Sequence, residues 1–166
     1  MKLTAKGRYA VTAMMDLALH SASADNNDIG IKDDHRIVLT EISERQQISL
    51  SYLEQLFASL RKANLVTAVR GPGGGYSLAK PSRDISVAEI LKAVDENLDF
   101  TCGNGSACNG DHDPCLTHGL WSKLSSELYD FLDNKSLAEI IRSPMNQNTS
   151  DNINSQNFSG IPIELS

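Results

Sequence analysis

Every cysteine of the chain lies in one polar stretch, TCGNGSACNGDHDPCLTHGLW, residues 101–121. Three thiols and two histidines fall within it, separated mainly by Gly, Asn and Asp. An odd number of cysteines in a chain without a secretory signal argues against a disulfide framework and indicates metal or redox chemistry. The candidate metal ligands are Cys102, Cys108, Cys115 and His118.

The spacing of these ligands favours an iron–sulfur cluster over a single metal ion. Structural zinc sites usually contain two tight ligand pairs, and only Cys115 and His118 form one here. The other two thiols come from an open, glycine-rich loop that can surround a larger group, and thiolates are the usual cluster ligands. A histidine ligand is unusual and protonates near neutral pH, so the cluster should be comparatively easy to lose. Zinc and a metal-free thiol switch remain alternatives, and His112 is an alternative ligand.

The composition is that of an ordinary globular protein, with 40% hydrophobic residues in 166 positions. No apolar run approaches the roughly 18 residues that a membrane span needs, so we expect a cytoplasmic protein without a membrane partner. The net charge of −6 is divided unequally along the chain. Residues 1–83 carry an excess of basic over acidic groups and residues 84–166 a large acidic excess, which predicts separate tasks for the two halves.

The first eighty residues have the pattern of a winged helix-turn-helix. Helical periodicity begins near Thr4, near Thr40 and at Ser49 or Ser51, and two short stretches of period two then flank the turn GPGGG. The predicted fold is therefore mainly α with a small β-hairpin. The third helix is expected to bury one apolar face, formed by Leu50, Leu53, Phe57 and Leu60.

Three Ser-x-x-Glu sequences, beginning at Ser51, Ser86 and Ser136, fit capping boxes and predict helix starts. The second of them begins a helix predicted over 86–98. A longer helix is predicted from about residue 117 to residue 133, and it repeats apolar residues along one stripe.

The chain divides into three predicted segments. Residues 1–83 form the winged helix-turn-helix domain, into which an acidic loop is inserted at 22–36. Residues 84–142 hold the cluster-binding loop and the helices on either side of it. Residues 143–166 are rich in Asn and Ser and are predicted to be a disordered polar tail.

The second helix of a helix-turn-helix pair lies in the major groove of DNA, and the side chains of its first turns reach base edges. If the apolar face docks on the domain, a polar face is left for base reading. Gln can pair with adenine, Glu can accept from cytosine, and Ser can serve in either way. The candidate DNA-reading residues are Ser49, Ser51, Tyr52, Glu54 and Gln55.

Positive charges at other positions are candidates for contacts with the DNA backbone. Arg61 lies at the far end of the same helix, and Lys6 and Arg8 lie in the first helix, where phosphate contacts are plausible. Arg70 stands beside the glycine-rich turn, at a hairpin tip that could enter a minor groove. This turn is no phosphate-binding loop, because no Gly-Lys-Ser/Thr follows it.

These motifs together resemble the IscR family of bacterial iron–sulfur cluster regulators, which are winged-helix transcription factors. The resemblance rests on MKLTAKGRYAVTAMMDLAL, on ISERQQISLSYLEQLFASLRKANLVTAVRGPGGGY, on the three-cysteine loop and on CLTHGLW, and it covers residues 1 to about 142. The acidic insertion at 22–36 departs from the family pattern, and so does the gap between Cys108 and Cys115, which is one residue wider than usual.

The resemblance implies a homodimer with one [2Fe–2S] cluster per protomer, ligated by Cys102, Cys108, Cys115 and His118. It also implies that residues 84–142 hold the dimerisation helices, of which the long helix from about residue 117 to residue 133 pairs with its copy in the other chain. It also implies a regulator of promoter DNA that represses cluster-assembly genes, activates at some sites, and receives its cluster from the iron–sulfur assembly machinery. Glu54 would tune discrimination between two classes of site. The alternatives are a cluster carrier or redox protein of the assembly pathway and a zinc-binding winged-helix repressor. An enzyme is not expected, because the motifs assemble no nucleophile, base and orienting group.

Overall fold

The computed structural model describes residues 4–21, 36–96, 98–99 and 116–143. Within these ranges, no helix has the length and apolarity that crossing a membrane requires. A single 3₁₀ turn of the described chain lies at Ser82–Asp84. The helices and strands, in chain order, are α1 (Ala5–Ser21), α2 (Leu39–Gln46), α3 (Leu50–Lys62), β1 (Val66–Val69), β2 (Gly75–Leu78), α4 (Val87–Ala93), α5 (His118–Asp133) and α6 (Leu137–Arg142).

Helix α1 lies at the centre of the fold and contacts α2, α3, α4, α6 and β2. One hydrophobic cluster joins these elements, and it includes residues from both sides of the domain boundary predicted at residue 83. That boundary stays a prediction. The mainly helical fold with a small hairpin is confirmed. The largest fully buried side chains of the cluster are Met14, Leu17, Ile42, Leu53, Leu56, Phe57, Leu60, Leu65, Ile85, Ile90 and Leu137.

The wing is an antiparallel hairpin whose register pairs Val66 with Leu78 and Val69 with Gly75. The residue Ile37, which precedes α2, adds a bridge that the sequence pattern did not predict. Its backbone N–H donates to the Tyr76 carbonyl at 2.9 Å, and the Tyr76 N–H donates to the Ile37 carbonyl at 2.8 Å. The hairpin is therefore fastened to the chain that leads into α2.

Helix α2 begins two residues earlier than predicted, because Val38 and not Thr40 occupies the N-cap position. Val38 has an extended backbone, and the Glu41 carboxylate accepts its N–H at 3.3 Å. An N-cap residue has an extended, non-helical backbone, and the helix begins directly after it. Thr40 therefore lies inside the first turn, and the predicted cap was wrong.

Helix α3 begins at Leu50 with Ser49 as its N-cap. Ser51 therefore lies within the helix, and the capping box predicted at this position is wrong. The buried face consists of Leu53, Leu56, Phe57 and Leu60, whereas Leu50 is 38% exposed. Leu56 joins this face because positions spaced by three and four share one side of a helix. Leu50 fits the same spacing but is the first residue of the helix.

The capping box at the start of α4 is confirmed. The Ser86 hydroxyl accepts the Glu89 N–H at 3.1 Å, and the Glu89 carboxylate accepts the Ser86 N–H at 3.2 Å. Burial raises the pKa of the Glu89 carboxyl, but the hydrogen bonds from Lys80 and Ser86 outweigh that effect, so the pKa is lowered. The helix ends at Ala93, earlier than predicted, because Asp95 adopts a left-handed backbone.

The residues that follow α5 are hydrogen bonded to the residues around the start of α4. The Val87 N–H donates to the Lys135 carbonyl at 2.9 Å, and the Leu137 N–H donates to the Ile85 carbonyl at 3.0 Å. Helix α4, the cysteine segment and α5 thus form an excursion whose two ends are hydrogen bonded to each other.

Candidate DNA-reading surface and metal-binding region

Helices α2 and α3 are joined by a tight turn. Gln47 has φ 55°, the left-handed conformation common at helix C-termini. The Ser43 hydroxyl donates to the Ile48 carbonyl at 2.6 Å, and the Ile48 side chain is buried in the core. This turn sets the direction of α3 and completes the helix-turn-helix.

The carboxylate of Asp16, on α1, fixes the position of α2. This side chain is fully buried, and it accepts hydrogen bonds from Arg45 Nε at 3.1 Å, Arg45 Nη2 at 2.6 Å and Gln46 Nε2 at 2.6 Å. The hydrogen bonds that Arg45 donates to Asp16 raise the pKa of Arg45, although burial opposes the rise. A buried charge must be paired and hydrogen bonded, so this contact locks the first helix of the DNA-reading pair onto the core.

The polar face of α3 points to solvent, as its proposed role requires. The side chains of Ser49, Ser51, Glu54 and Gln55 are exposed. Arg61 is exposed at the last turn of α3, near the C-terminal end. Their contacts with DNA stay predictions.

Tyr52 differs from the other predicted DNA-reading residues because it is half-buried and packs against the hydrophobic cluster. Its ring meets the ring of Tyr9, on α1, edge to face at a centroid distance of 5.9 Å. This aromatic pair stabilises the packing of α3 on α1. Tyr52 therefore has a structural contact that the sequence pattern did not predict, whatever its part in DNA binding.

An aromatic contact with α3 helps to position the wing. The rings of Phe57 and Tyr76 meet at a centroid distance of 4.9 Å and an interplanar angle of 72°. At the tip, Gly71 has φ 103°, and a Cβ on Gly74 would lie 2.4 Å from the Val69 carbonyl oxygen. Only glycine fits these two positions. Arg70 is exposed beside this turn.

Two more predicted phosphate ligands lie in the first turns of α1. Arg8 is exposed and Lys6 is half-buried. The carboxylate that lies near Lys6 belongs to Glu96, whose pKa is affected by the lysine charge. Glu96 was not among the residues predicted from the sequence, because its position after α4 gives no sign of a contact with α1.

Of the four predicted cluster ligands, Cys102, Cys108 and Cys115 lie outside the described residues, and so does the alternative ligand His112. His118 is described, and it is the first residue of α5. Its Nδ1 atom is shielded from solvent and has no hydrogen-bond partner among the described residues. A shielded ring nitrogen of this kind needs a proton acceptor, a donor or a metal, so the histidine suits a ligand role.

Helix α5 carries large apolar side chains that the described chain does not cover. None of its sixteen residues is buried. Leu120 is 62% exposed and Phe131 59% exposed, and Leu124 and Tyr129 also remain exposed. A soluble monomer rarely leaves such a stripe uncovered.

Comparison with known proteins places this architecture in a family. The family model described as Rrf2, iron-dependent transcriptional regulator, matches residues 3–143. The chain belongs to the Rrf2 family. It is 54% identical over 143 residues to the HTH-type transcriptional regulator IscR of Photobacterium profundum, an alignment that covers 86% of this chain and 76% of the relative.

Solved structures agree with this membership. The structure described as T. potens IscR has a TM-score of 0.64 and 34% identity, and the match covers 96% of this chain and 94% of that one. CymR, described as the global cysteine regulator of B. subtilis, has a TM-score of 0.66 and 26% identity, covering 85% of this chain and 96% of that one. This Rrf2 family member is a DNA-binding transcriptional regulator of the winged-helix type. Its relatives are regulators and not enzymes, which confirms that expectation.

Proposed function

We propose that this regulator is a cytoplasmic homodimer that senses iron–sulfur cluster status through a [2Fe–2S] cluster. It controls cluster-assembly genes, represses at some promoters and activates at others, and receives its cluster from the assembly machinery. The observation that carries the proposal is the shielded Nδ1 of His118, unpartnered within the described chain and close in sequence to a segment with three cysteines.

The ligand set fits a cluster chemically. Cys102, Cys108 and Cys115 would supply three thiolates, which iron–sulfur clusters prefer, and His118 would supply the fourth ligand. When bound, the cluster supplies a redox-active centre whose presence depends on the supply of iron and sulfide. The four ligands would hold the cluster near the start of α5. Cluster binding would thereby be sensed by the part of the chain that joins α4 to α5.

The exposed face of α5 supports a homodimer. A symmetric two-fold contact pairs the same helix with itself, and both stripes are then buried at once. Leu120 and Phe131 are the most exposed large apolar residues of the helix. Pairing α5 with the α5 of a second copy would also bring two DNA-reading domains together, as a palindromic promoter requires.

The DNA-reading surface supports binding of two grooves at once. Helix α3 would present the exposed Gln55 and Glu54 to base edges in the major groove, and the exposed Arg70 on the wing would enter an adjacent minor groove. Replacing Gln55 with Ala should cost about 1–3 kcal/mol at one base position, and Arg70→Ala should lower the salt dependence of binding by about one phosphate equivalent. Substitution of Arg61 should weaken binding to all sequences equally.

The decisive experiment is an anaerobic purification with assays of iron, sulfide and zinc. We expect iron and acid-labile sulfide in wild type and their loss in Cys102→Ala and His118→Ala, while His112→Ala, the matched control, keeps them. Each protein is then titrated against a cluster-pathway promoter. Stoichiometric zinc without iron would overturn the cluster interpretation and favour a zinc-binding repressor. Iron and sulfide together with equally weak binding to every promoter would favour a cluster carrier instead.

A further inference from the structure

We propose that Glu96 is a positioning residue that transmits the state of the cysteine segment to the DNA-contacting end of α1, an inference that rests on the proposed function. Glu96 follows α4, and Cys102 comes soon after it along the chain. Its side chain is hydrogen bonded to Thr4, 92 residues earlier, which directly precedes α1. Lys6 and Arg8, two predicted phosphate ligands, follow directly in that helix.

The Glu96 carboxylate caps α1 from another element of the fold. Its Oε1 accepts the Thr4 backbone N–H at 2.9 Å, and its Oε2 accepts the Thr4 hydroxyl. The same Thr4 oxygen accepts the Gly7 N–H at 3.4 Å. A capping-box glutamate normally lies three residues into its own helix, whereas here the acceptor comes from the end of α4. The start of α1 therefore depends on where the chain leaves α4.

Gly7 gives this carboxylate its place. A Cβ on Gly7 would lie 3.0 Å from Glu96 Oε2 and 3.0 Å from a methyl group of Leu91. Glycine inside a helix is less favourable than alanine. The absent side chain is compensated by the close approach of α1 to α4 and its capping glutamate.

The electrostatics support an ionised cap. Burial raises the pKa of Glu96, but the hydrogen bonds from Thr4 outweigh it and lower the pKa, and the charge of Lys6 lowers it further. A negative charge at a helix N-terminus is stabilised by the helix dipole. Removing the carboxylate would leave the Thr4 N–H without this acceptor and would take away a negative charge near Lys6.

A tight turn after α4 presents Glu96. Asp95 has φ 55°, in the left-handed region that aspartate adopts more readily than most non-glycine residues. The Glu96 N–H donates to the Leu91 carbonyl at 2.9 Å and so holds the turn against α4. Ligation at Cys102 would constrain the position of Glu96, and loss of the ligated group would remove that constraint. Glu96 would then position α1, with Lys6, differently in the two states.

The test measures DNA affinity with and without cluster. Wild type, Glu96→Ala and Glu41→Ala are each purified anaerobically with cluster and again after iron removal, and titrated with a fluorescent promoter duplex at fixed salt. Glu41 is the matched control because its carboxylate caps Val38, within its own helix. We expect a holo-to-apo affinity ratio of about tenfold in wild type, reduced to about twofold or less in Glu96→Ala and retained in Glu41→Ala.

A merely structural cap would lower both affinities equally and leave the ratio unchanged, which would overturn the coupling. A wild-type ratio near one, or wild type without iron and sulfide, would overturn the proposed function together with it. A holo-to-apo affinity ratio that falls in Glu96→Ala but not in Glu41→Ala would support the coupling.

A second variant keeps the inference testable if Glu96→Ala fails to fold. Gly7→Ala retains every charged and hydrogen-bonding group but displaces the Glu96 carboxylate by a few tenths of an ångström. We expect it to reduce the ratio in the same direction by a smaller factor. In the wild-type protein, amide exchange at residues 4–8 should be slower with the cluster than without it. Equal protection in both states would overturn the coupling.

Discussion

Replacing Arg45 with Ala should destabilise the fold by leaving a buried carboxylate short of partners. Asp16 is completely buried, and Arg45 donates to both of its oxygens while Gln46 donates to one. Removing one partner of a buried ion pair costs about 3–5 kcal/mol. The Arg45 side chain is 31% exposed, so water can reach part of the gap. We therefore expect the lower end of that range, about 3 kcal/mol.

Urea unfolding followed by far-UV circular dichroism measures this loss. With an m-value of about 2 kcal/mol/M, a loss of about 3 kcal/mol lowers the midpoint by about 1.5 M. All variants are compared at one protein concentration, because association would shift the midpoint. Lys123→Ala is the control, since its ion pair with Glu127 spans 3.7 Å between two exposed side chains. It should cost about 0.5 kcal/mol or less.

A double-mutant cycle assigns the effect to the contact itself. In the Asp16→Ala background, Arg45→Ala should cost little, because no buried charge remains to be left unpaired. A midpoint shift below about 0.3 M for the single Arg45 variant, equivalent to about 0.6 kcal/mol, would refute the reasoning. An equal effect in both backgrounds would refute it as well.

Three further predictions concern the wing, the pH dependence of stability and the pairing of α5. Gly74→Ala should weaken promoter binding about tenfold in a fluorescence titration, whereas Gly119→Ala, where no described atom lies within 4 Å of a Cβ, should leave it unchanged. Because its folded-state pKa is lowered, Glu89 stabilises above its ordinary value of 4.5, and the contribution is lost as pH falls through the folded value. The urea midpoint of Glu89→Gln should thus lie below wild type at pH 7, and the difference should shrink as the pH falls below 4.5. Phe131→Asp should shift sedimentation towards the monomer; an unchanged dimer would contradict the α5 pairing.

Local signals in the sequence predicted the order of the elements well. The Ser86 cap, the hairpin strands and the long helix to Asp133 follow from periodicity and from residues with known cap or turn preferences. Boundaries set by tertiary contacts were harder to predict. The cap of α2 depends on an extended Val38, which in turn depends on the bridge that Ile37 forms with Tyr76 in the wing.

The candidate site could be predicted only where its residues lie close together in the sequence and their types indicate their chemistry. The group of cysteines and the polar face of a helix can both be recognised from the sequence alone. The Asp16 contact with Arg45 and the Glu96 contact with Thr4 join residues 29 and 92 positions apart. No periodicity links such pairs, because only the packing of α1 brings them together.

The hydrogen bonds that join Ile85 and Val87 to Lys135 and Leu137 have a consequence for protease treatment. A cut anywhere between residues 100 and 115 divides the chain in two. The first piece still packs into the hydrophobic cluster through α4, and the second piece packs into the same cluster through α6. The nicked protein should travel as one particle through gel filtration and separate only in denaturant. The two pieces expressed from separate genes should then associate and restore the hydrophobic cluster that supports α2 and α3. The cysteine segment is therefore a suitable place to divide this regulator into a split reporter.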